Sequence, residues 1–178
     1  MILVGFGANL SMADGTPPAE TLLRAALQVA ALPGLSRPRL SRLWRSPPVP
    51  PSAQPDFVNA VLRLEGRAEP EALLSALHTI EARHGRVRGE RNAPRTLDLD
   101  LLDLEGLVRQ APPPVLPHPR IRDRAFVLAP LAEVAPGWRH PVTGESVEAL
   151  LAALPEPERQ ACRPLARPGK LASGTTVY

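Results

Sequence analysis

The stretch TLDLDLLDL, residues 96–104, constrains the fold more than any other part of the chain. Leucine and aspartate alternate over 97–101, and an extended strand, whose successive side chains point to opposite faces, sorts them cleanly. Asp98 and Asp100 then share one face, Leu97, Leu99 and Leu101 share the other, and Asp103 falls on the leucine side. Two like charges so placed repel and raise each other's pKa, and aspartate is a poor strand former. The pairing needs a reason. A divalent cation supplies one, because Mg²⁺ takes one or two protein carboxylates and shares phosphate oxygens with a substrate. Two such ions, about 3.5–4 Å apart, are a known arrangement for phosphoryl transfer.

The elements before this strand set its surroundings. Residues 2–8, ILVGFGA, read as a buried strand. DGTPPAETLLRAALQVAALPG reads as a helix with Thr16 as N-cap, prolines in its first turn and Glu20 against the dipole. Its predicted buried stripe is Leu22, Leu23, Ala26, Leu27 and Ala30, and Gly34 ends it. A strand over about 38–45 and a proline loop lead into the strand FVNAVLRLEG. A second helix starts near Pro70, turns Leu73, Leu74, Leu77 and Ile80 inward, and stops at Gly85.

The order β-α-β-β-α-β predicts an α+β, ferredoxin-like core, with both helices on one face of an antiparallel sheet. A proline loop, a short helix near 130–135 and a helix over about 147–154 capped by Ser146 extend it. The expected organisation is one domain over 1–154 and a loosely held, proline-containing tail over 155–178.

With 178 residues, 44% hydrophobic and 22% charged, the chain can bury the core of one such domain. Its 23 prolines cluster at 47–55 and 112–119, which predicts fixed, extended loops. The net charge is only +3, yet the pI is about 9.9, because arginine carries nearly all the positive charge and Lys170 is the single lysine. Arg83, Arg86, Arg88, Arg91 and Arg95 crowd the segment before the paired aspartates, and Arg120, Arg122 and Arg124 form a second group. Guanidinium groups so placed suit phosphate oxygens.

Other signals are weaker. Leu74, His78 and Glu81 recur at helical spacing, which by itself describes a solvated helix edge. His118 stands between prolines and beside three arginines, a costly cluster unless an anion joins it. GAN, residues 7–9, alone reads as a turn. Neither GxxxxGK[ST] nor GxGxxG is present, and no Cys/His spacing suggests zinc. An RNA-binding module of the same fold is disfavoured by aromatic content of 3% and by aspartates that would repel a phosphate backbone. A noncatalytic sensor of metal or nucleotide is the other rival. The single Cys162 fits a reducing compartment, the N-terminus lacks a basic leader, and no apolar run approaches the roughly 20 residues needed to span a membrane. The expectation is a cytoplasmic protein without membrane or nucleic-acid partners.

GRVRGERNAPRTLDLDLL, residues 85–102, closely resembles the signature of the 6-hydroxymethyl-7,8-dihydropterin pyrophosphokinases of folate biosynthesis. GANL, SPPVPPSAQPDFVNAV and LPHPRIRDRAFVLAPLAEVAP continue the match in the family's order. The resemblance implies a ferredoxin-like fold and transfer of pyrophosphate from MgATP to the pterin hydroxymethyl group, releasing AMP. It implies that Asp98 and Asp100 bind two Mg²⁺, Asp100 also being placed to accept the hydroxyl proton. Arg86 and Arg95 would be catalytic, stabilising the phosphates. Leu74, His78, Glu81, Arg88, Leu101, His118 and Arg124 would bind ATP. Phe57 and Phe126 would sandwich the pterin and Asn59 would read its edge. Ser46, Pro47 and Val49 would add contacts, with Gly7 and Asn9 at the floor. Phe57 keeps the stacking face of a frequent Tyr, and Asn92 stands at a loop position that can carry Trp. The implied partners are the two small-molecule substrates, and the expected state is a monomer.

Overall fold

The computed structural model describes residues 1–86 and 93–165. Its centre is β1 (Ile2–Ala8), buried except at Gly7 and antiparallel both to β4 (Phe57–Gly66) and to β5 (Asp98–Leu104). The strand expected at 38–45 is two strands, β2 (Leu35–Leu40) and β3 (Trp44–Ser46), both antiparallel to β4. Arg37 with φ of 48° and Pro38, which has no N–H to donate, spoil β2's ladder. Between the two strands the Ser41 amide donates to the Val61 carbonyl at 2.9 Å, and its Oγ accepts from the Val61 amide at 3.0 Å. With β2 and β3 counted as one interrupted strand, the fourth, first, third and second strands lie in that order, the ferredoxin-like arrangement.

α1 (Pro18–Ala30) and α2 (Pro70–Arg83) cover one face of the sheet. Ile2, Val4, Phe6, Leu99 and Leu101 meet Leu22, Ala26 and Val29 of α1 and Leu73, Leu77 and Ile80 of α2 there. Thr16 is not the cap of α1. Pro17 holds that position, while Thr16 is buried, its amide donating to Asp14 Oδ1 at 2.9 Å. The buried stripe of α1 is also rotated from the predicted one: Thr21, Leu22, Ala25, Ala26 and Val29 are buried, and Leu27 is 64% exposed. Small residues at 25 and 26 let the helix lie close to the sheet, and that decides which face turns inward.

The chain after residue 105 covers the other face. α3 (Ala125–Val134) is longer than the helix expected near 130–135 and buries seven of its side chains, with Leu128 and Leu131 fully enclosed. It packs with α4 (Val147–Ala153) over Leu3, Val61 and Leu102. Ser146 caps α4, its Oγ accepting from the Ala149 amide at 3.2 Å. Two short elements form at the start of the expected tail. α5 (Glu156–Ala161) is followed by β6 (Arg163–Pro164), which pairs with Trp44 and Arg45 at the outer edge of β3. Cys162 lies buried between them against Ala125 and Ala129.

Asp103 corrects another expectation. Between β1 and β5 the register passes from Val4 opposite Leu101 to Leu3 opposite Asp103, so Leu102 is an extra residue in β5. This bulge reverses the alternation. Asp103 lies on the face of Asp98 and Asp100 rather than the leucine face, buried, with Oδ2 accepting from Trp138 Nε1 at 2.6 Å and Oδ1 accepting from the Gly106 amide at 2.9 Å.

Candidate active site

Across the centre of the sheet, Asp98 stands opposite Gly7 and Asp100 opposite Gly5. Neither glycine puts a side chain beside its aspartate. A Cβ on Gly5 would come 3.3 Å from Leu102, and one on Gly7 would lie 3.6 Å from Asn59 Oδ1 and 3.9 Å from Asp98 Cβ. The missing methyl groups open the floor of a cleft of about 660 Å³.

Asp98 and Asp100 share that cleft but not their electrostatic surroundings. Arg86 Nη1 pairs with Asp98 Oδ1 while also donating to Glu81 Oε1 at 2.5 Å and to the Leu97 carbonyl at 3.2 Å. Arg95 Nη1 donates to Asp98 Oδ2 at 2.5 Å. Asp98 is therefore held between two guanidinium groups. The basic groups facing Asp100 stand further away, with His118 Nε2 at 3.9 Å and Arg124 Nη1 at 4.0 Å from Oδ2. Burial, and then the Asp98 charge, push the Asp100 carboxyl above the usual carboxylate range. Burial likewise lowers the His118 pKa, with Asp100 opposing. The His118 Nδ1 accepts from the Arg120 amide at 3.1 Å, which in the neutral ring leaves Nε2 carrying the proton towards Asp100.

Glu81 reaches the site through strand geometry. β5 is an edge strand, and its Leu99 amide donates to Glu81 Oε1 at 2.8 Å. Glu81 is only 3% exposed, so the predicted solvated helix edge is at this point a buried acid fastening α2 to β5. His78 and Leu74 line the cleft one and two turns further back along α2.

The other half of the cleft is apolar. Phe57 opens β4, Phe126 lies in the first turn of α3, and Pro47 and Val49 come from the proline loop. Val49 is 64% exposed at the lip. In the same half the buried Asn59 donates from Nδ2 to Ser46 Oγ at 3.0 Å. The Arg124 guanidinium sits 5.3 Å from the centre of the Phe126 ring, joining the cationic and aromatic halves.

Most of the residues singled out by sequence thus gather around one opening. Three do not line it as expected. Leu101 is buried with its side chain in the core beneath the helices, on the far face of the sheet, so only its backbone could meet a ligand at β5's edge. Asn9 is buried behind the cleft. His118 stands behind Asp100. Arg88 and Asn92 lie outside the described residues. Gly5, Gln54 and Arg120 line the cleft without having been singled out. The pairing register that sets Gly5 against Asp100 leaves no mark on local sequence, whereas Arg120 was visible as one of a basic cluster.

Comparison with known proteins adds an independent line. Residues 3–136 match the family model described as 7,8-dihydro-6-hydroxymethylpterin-pyrophosphokinase. The 2-amino-4-hydroxy-6-hydroxymethyldihydropteridine pyrophosphokinase of Pseudomonas aeruginosa is 40% identical over 154 residues, covering 86% of this chain and 91% of the relative. The Synechocystis protein of the same name is 36% identical over 149 residues, covering 84% of this chain and 73% of that one. Among solved structures, one described as HPPK-DHPS in complex with substrates superposes with a TM-score of 0.58 at 13% identity. That likeness covers 85% of this chain and 43% of the larger one, and shows a shared fold.

Proposed function

The chain belongs to the 7,8-dihydro-6-hydroxymethylpterin-pyrophosphokinase family, and from that premise we propose how its own residues carry out the family's reaction. The activity is transfer of a pyrophosphoryl group from ATP to the hydroxymethyl oxygen of 6-hydroxymethyl-7,8-dihydropterin, a step of folate biosynthesis. One observation carries the assignment of the site: a single cleft has two carboxylates and a ring of arginines at one end and two phenylalanine rings about a buried amide at the other.

The pterin takes the aromatic end. Phe57 and Phe126 offer faces to a flat ring, Pro47 and Val49 close its rim, and Asn59, oriented by Ser46, reads its polar edge. The phosphates lie over β5. Arg86 and Arg95 hold Asp98 in this structure and stand close enough to turn to phosphate oxygens. Arg124, His118 and Arg120 flank the far side of Asp100. Leu74, His78 and Glu81 border the place left for adenosine, and Leu101 is assigned to it from the sequence match alone. Arg88 is assigned to the triphosphate from the sequence match alone.

The pterin oxygen attacks the β-phosphorus, the bond from that phosphorus to the α–β bridging oxygen breaks, and AMP leaves. Little covalent work falls to the protein, so positioning and charge neutralisation supply most of the acceleration. Asp100, whose carboxyl burial pushes above the usual carboxylate range, is the group we assign to accept the hydroxyl proton. Two carboxylates on one strand face, with open glycine positions opposite, suit the hard, oxygen-seeking Mg²⁺. We assign two ions to Asp98 and Asp100; when bound, they neutralise the phosphates and align them for in-line transfer. The protein acts as a monomer in this reading.

Incubation with ATP, Mg²⁺ and the pterin should release AMP only when the pterin is present. Asp98→Ala and Asp100→Ala should each lower kcat by at least about 100-fold, as loss of a preorganised charge does, while the thermal melt stays cooperative. Full turnover in both variants would refute the assignment.

A further inference from the structure

Asn9 directly follows β1 with only 4% of its surface exposed, and its side chain bonds to two separate segments of the chain. Its Oδ1 accepts from the Arg95 amide at 2.8 Å. Its Nδ2 donates to the Pro55 carbonyl at 3.2 Å and to Gln54 Oε1 at 3.1 Å. From the other side, the amides of Asn9 and Leu10 both donate to the Arg95 carbonyl, at 3.0 and 3.1 Å. The Arg95 peptide is therefore gripped by both its polar groups. Its guanidinium holds Asp98 at the phosphate end, and Gln54 lines the cleft from the proline loop that walls the pterin end.

The chemistry of the joint selects asparagine. A backbone N–H must face an acceptor and a backbone carbonyl must face a donor, about one amide's width apart. Aspartate would satisfy Arg95 but oppose the Pro55 carbonyl with another acceptor. Alanine would take away both the acceptor of the Arg95 amide and the donor to the Pro55 carbonyl.

We propose that Asn9 is a positioning residue that couples the two ends of the cleft: seating the pterin against the proline loop fixes the place of Arg95, through one amide that touches neither substrate. The proposal rests on the two-ended reading of the cleft given above.

The test varies both substrates with wild type, Asn9→Asp and Asn9→Ala, and measures pterin binding by calorimetry beside a non-hydrolysable ATP analogue. Asn9→Asp should raise the KM and Kd for pterin at least tenfold and leave the KM for ATP within twofold. Asn9→Ala should in addition lower kcat at least tenfold, because Arg95 loses its anchor too. A pterin KM within twofold of wild type in Asn9→Asp, or equal rises in both KM values, overturns the coupling. A measurement on wild type avoids dependence on a variant's folding: pterin alone should slow deuterium exchange of the Arg95 amide at least fivefold, and an unchanged rate also overturns it. A wild type that releases no AMP would overturn the functional reading itself, whereas normal wild-type turnover beside an indifferent Asn9→Asp would remove this inference alone.

Discussion

Arg86 pairs with two carboxylates at once, the buried Glu81 and the cleft-lining Asp98. Its neighbour His84 has the opposite fate. The ring is 5% exposed, and neither nitrogen has a hydrogen-bond partner among the described residues. Burial, with the Arg24 charge adding to it, holds its pKa below the ordinary 6.5. Above pH 6.5 the ring is neutral in folded and unfolded chains alike, so no stability is lost there. As the pH falls below that value, the unfolded chain takes a proton that the folded chain refuses, and stability declines until the folded pKa is passed. His84→Gln should flatten this slope. Urea midpoints measured from pH 8 to pH 5 should fall more steeply for wild type than for the variant; parallel lines would exclude His84 as the cause.

At the scale of elements, the bulge in β5 sets what the strand can bury. Because Leu102 is extra, Asp103 turns towards α3 and α4 and meets Trp138 across the second core. Trp138→Phe removes the donor and leaves Asp103 Oδ2 buried without it, at a cost of about 1–3 kcal/mol, to be read from urea unfolding. A cost near zero would mean that water replaces the indole. The same strand shows how far sequence reading reaches. Alternation sorts Asp98, Leu99, Asp100 and Leu101 correctly, because each face contrasts strongly in polarity. It fails at Asp103, because a bulge is a relation between two strands and neither strand's composition announces it. Thr16 fails for a related reason: a good capping residue was outcompeted by consecutive prolines that fix the helix start without a side-chain bond. The rotated stripe of α1 and the broken strand at Ser41 were likewise settled by packing partners far off in the chain.

For the whole molecule, the cleft exists because the two faces of the sheet are covered unequally. α1 and α2 close one face, while α3 and α4 cover part of the other and leave the ground over Asp98 and Asp100 open. The element order and the gathering of arginines near the aspartates were legible from the sequence, because each depends on strong local pattern. The closing of β3's edge by β6 was not, since two residues of pairing carry no periodic signal. That closure buries Cys162 and raises its pKa to about 11 through burial. Cys162→Asp should destabilise the protein by about 3 kcal/mol or more and raise the KM for pterin, since Phe126 packs on the same cluster. An unchanged melting temperature would show that α5 and β6 do not seal this edge.

That cluster also carries an optical consequence. The chain has two tryptophans. Trp138 is tied to Asp103 in the second core, whereas Trp44 packs with Phe126 on Ala125, Ala129 and Cys162 beside the cleft. Pterins absorb where indole emits, and Phe126 packs against the clusters of both tryptophans, so a pterin seated on that ring should quench the protein's own fluorescence by energy transfer. Binding of the substrate would then be readable without any added label.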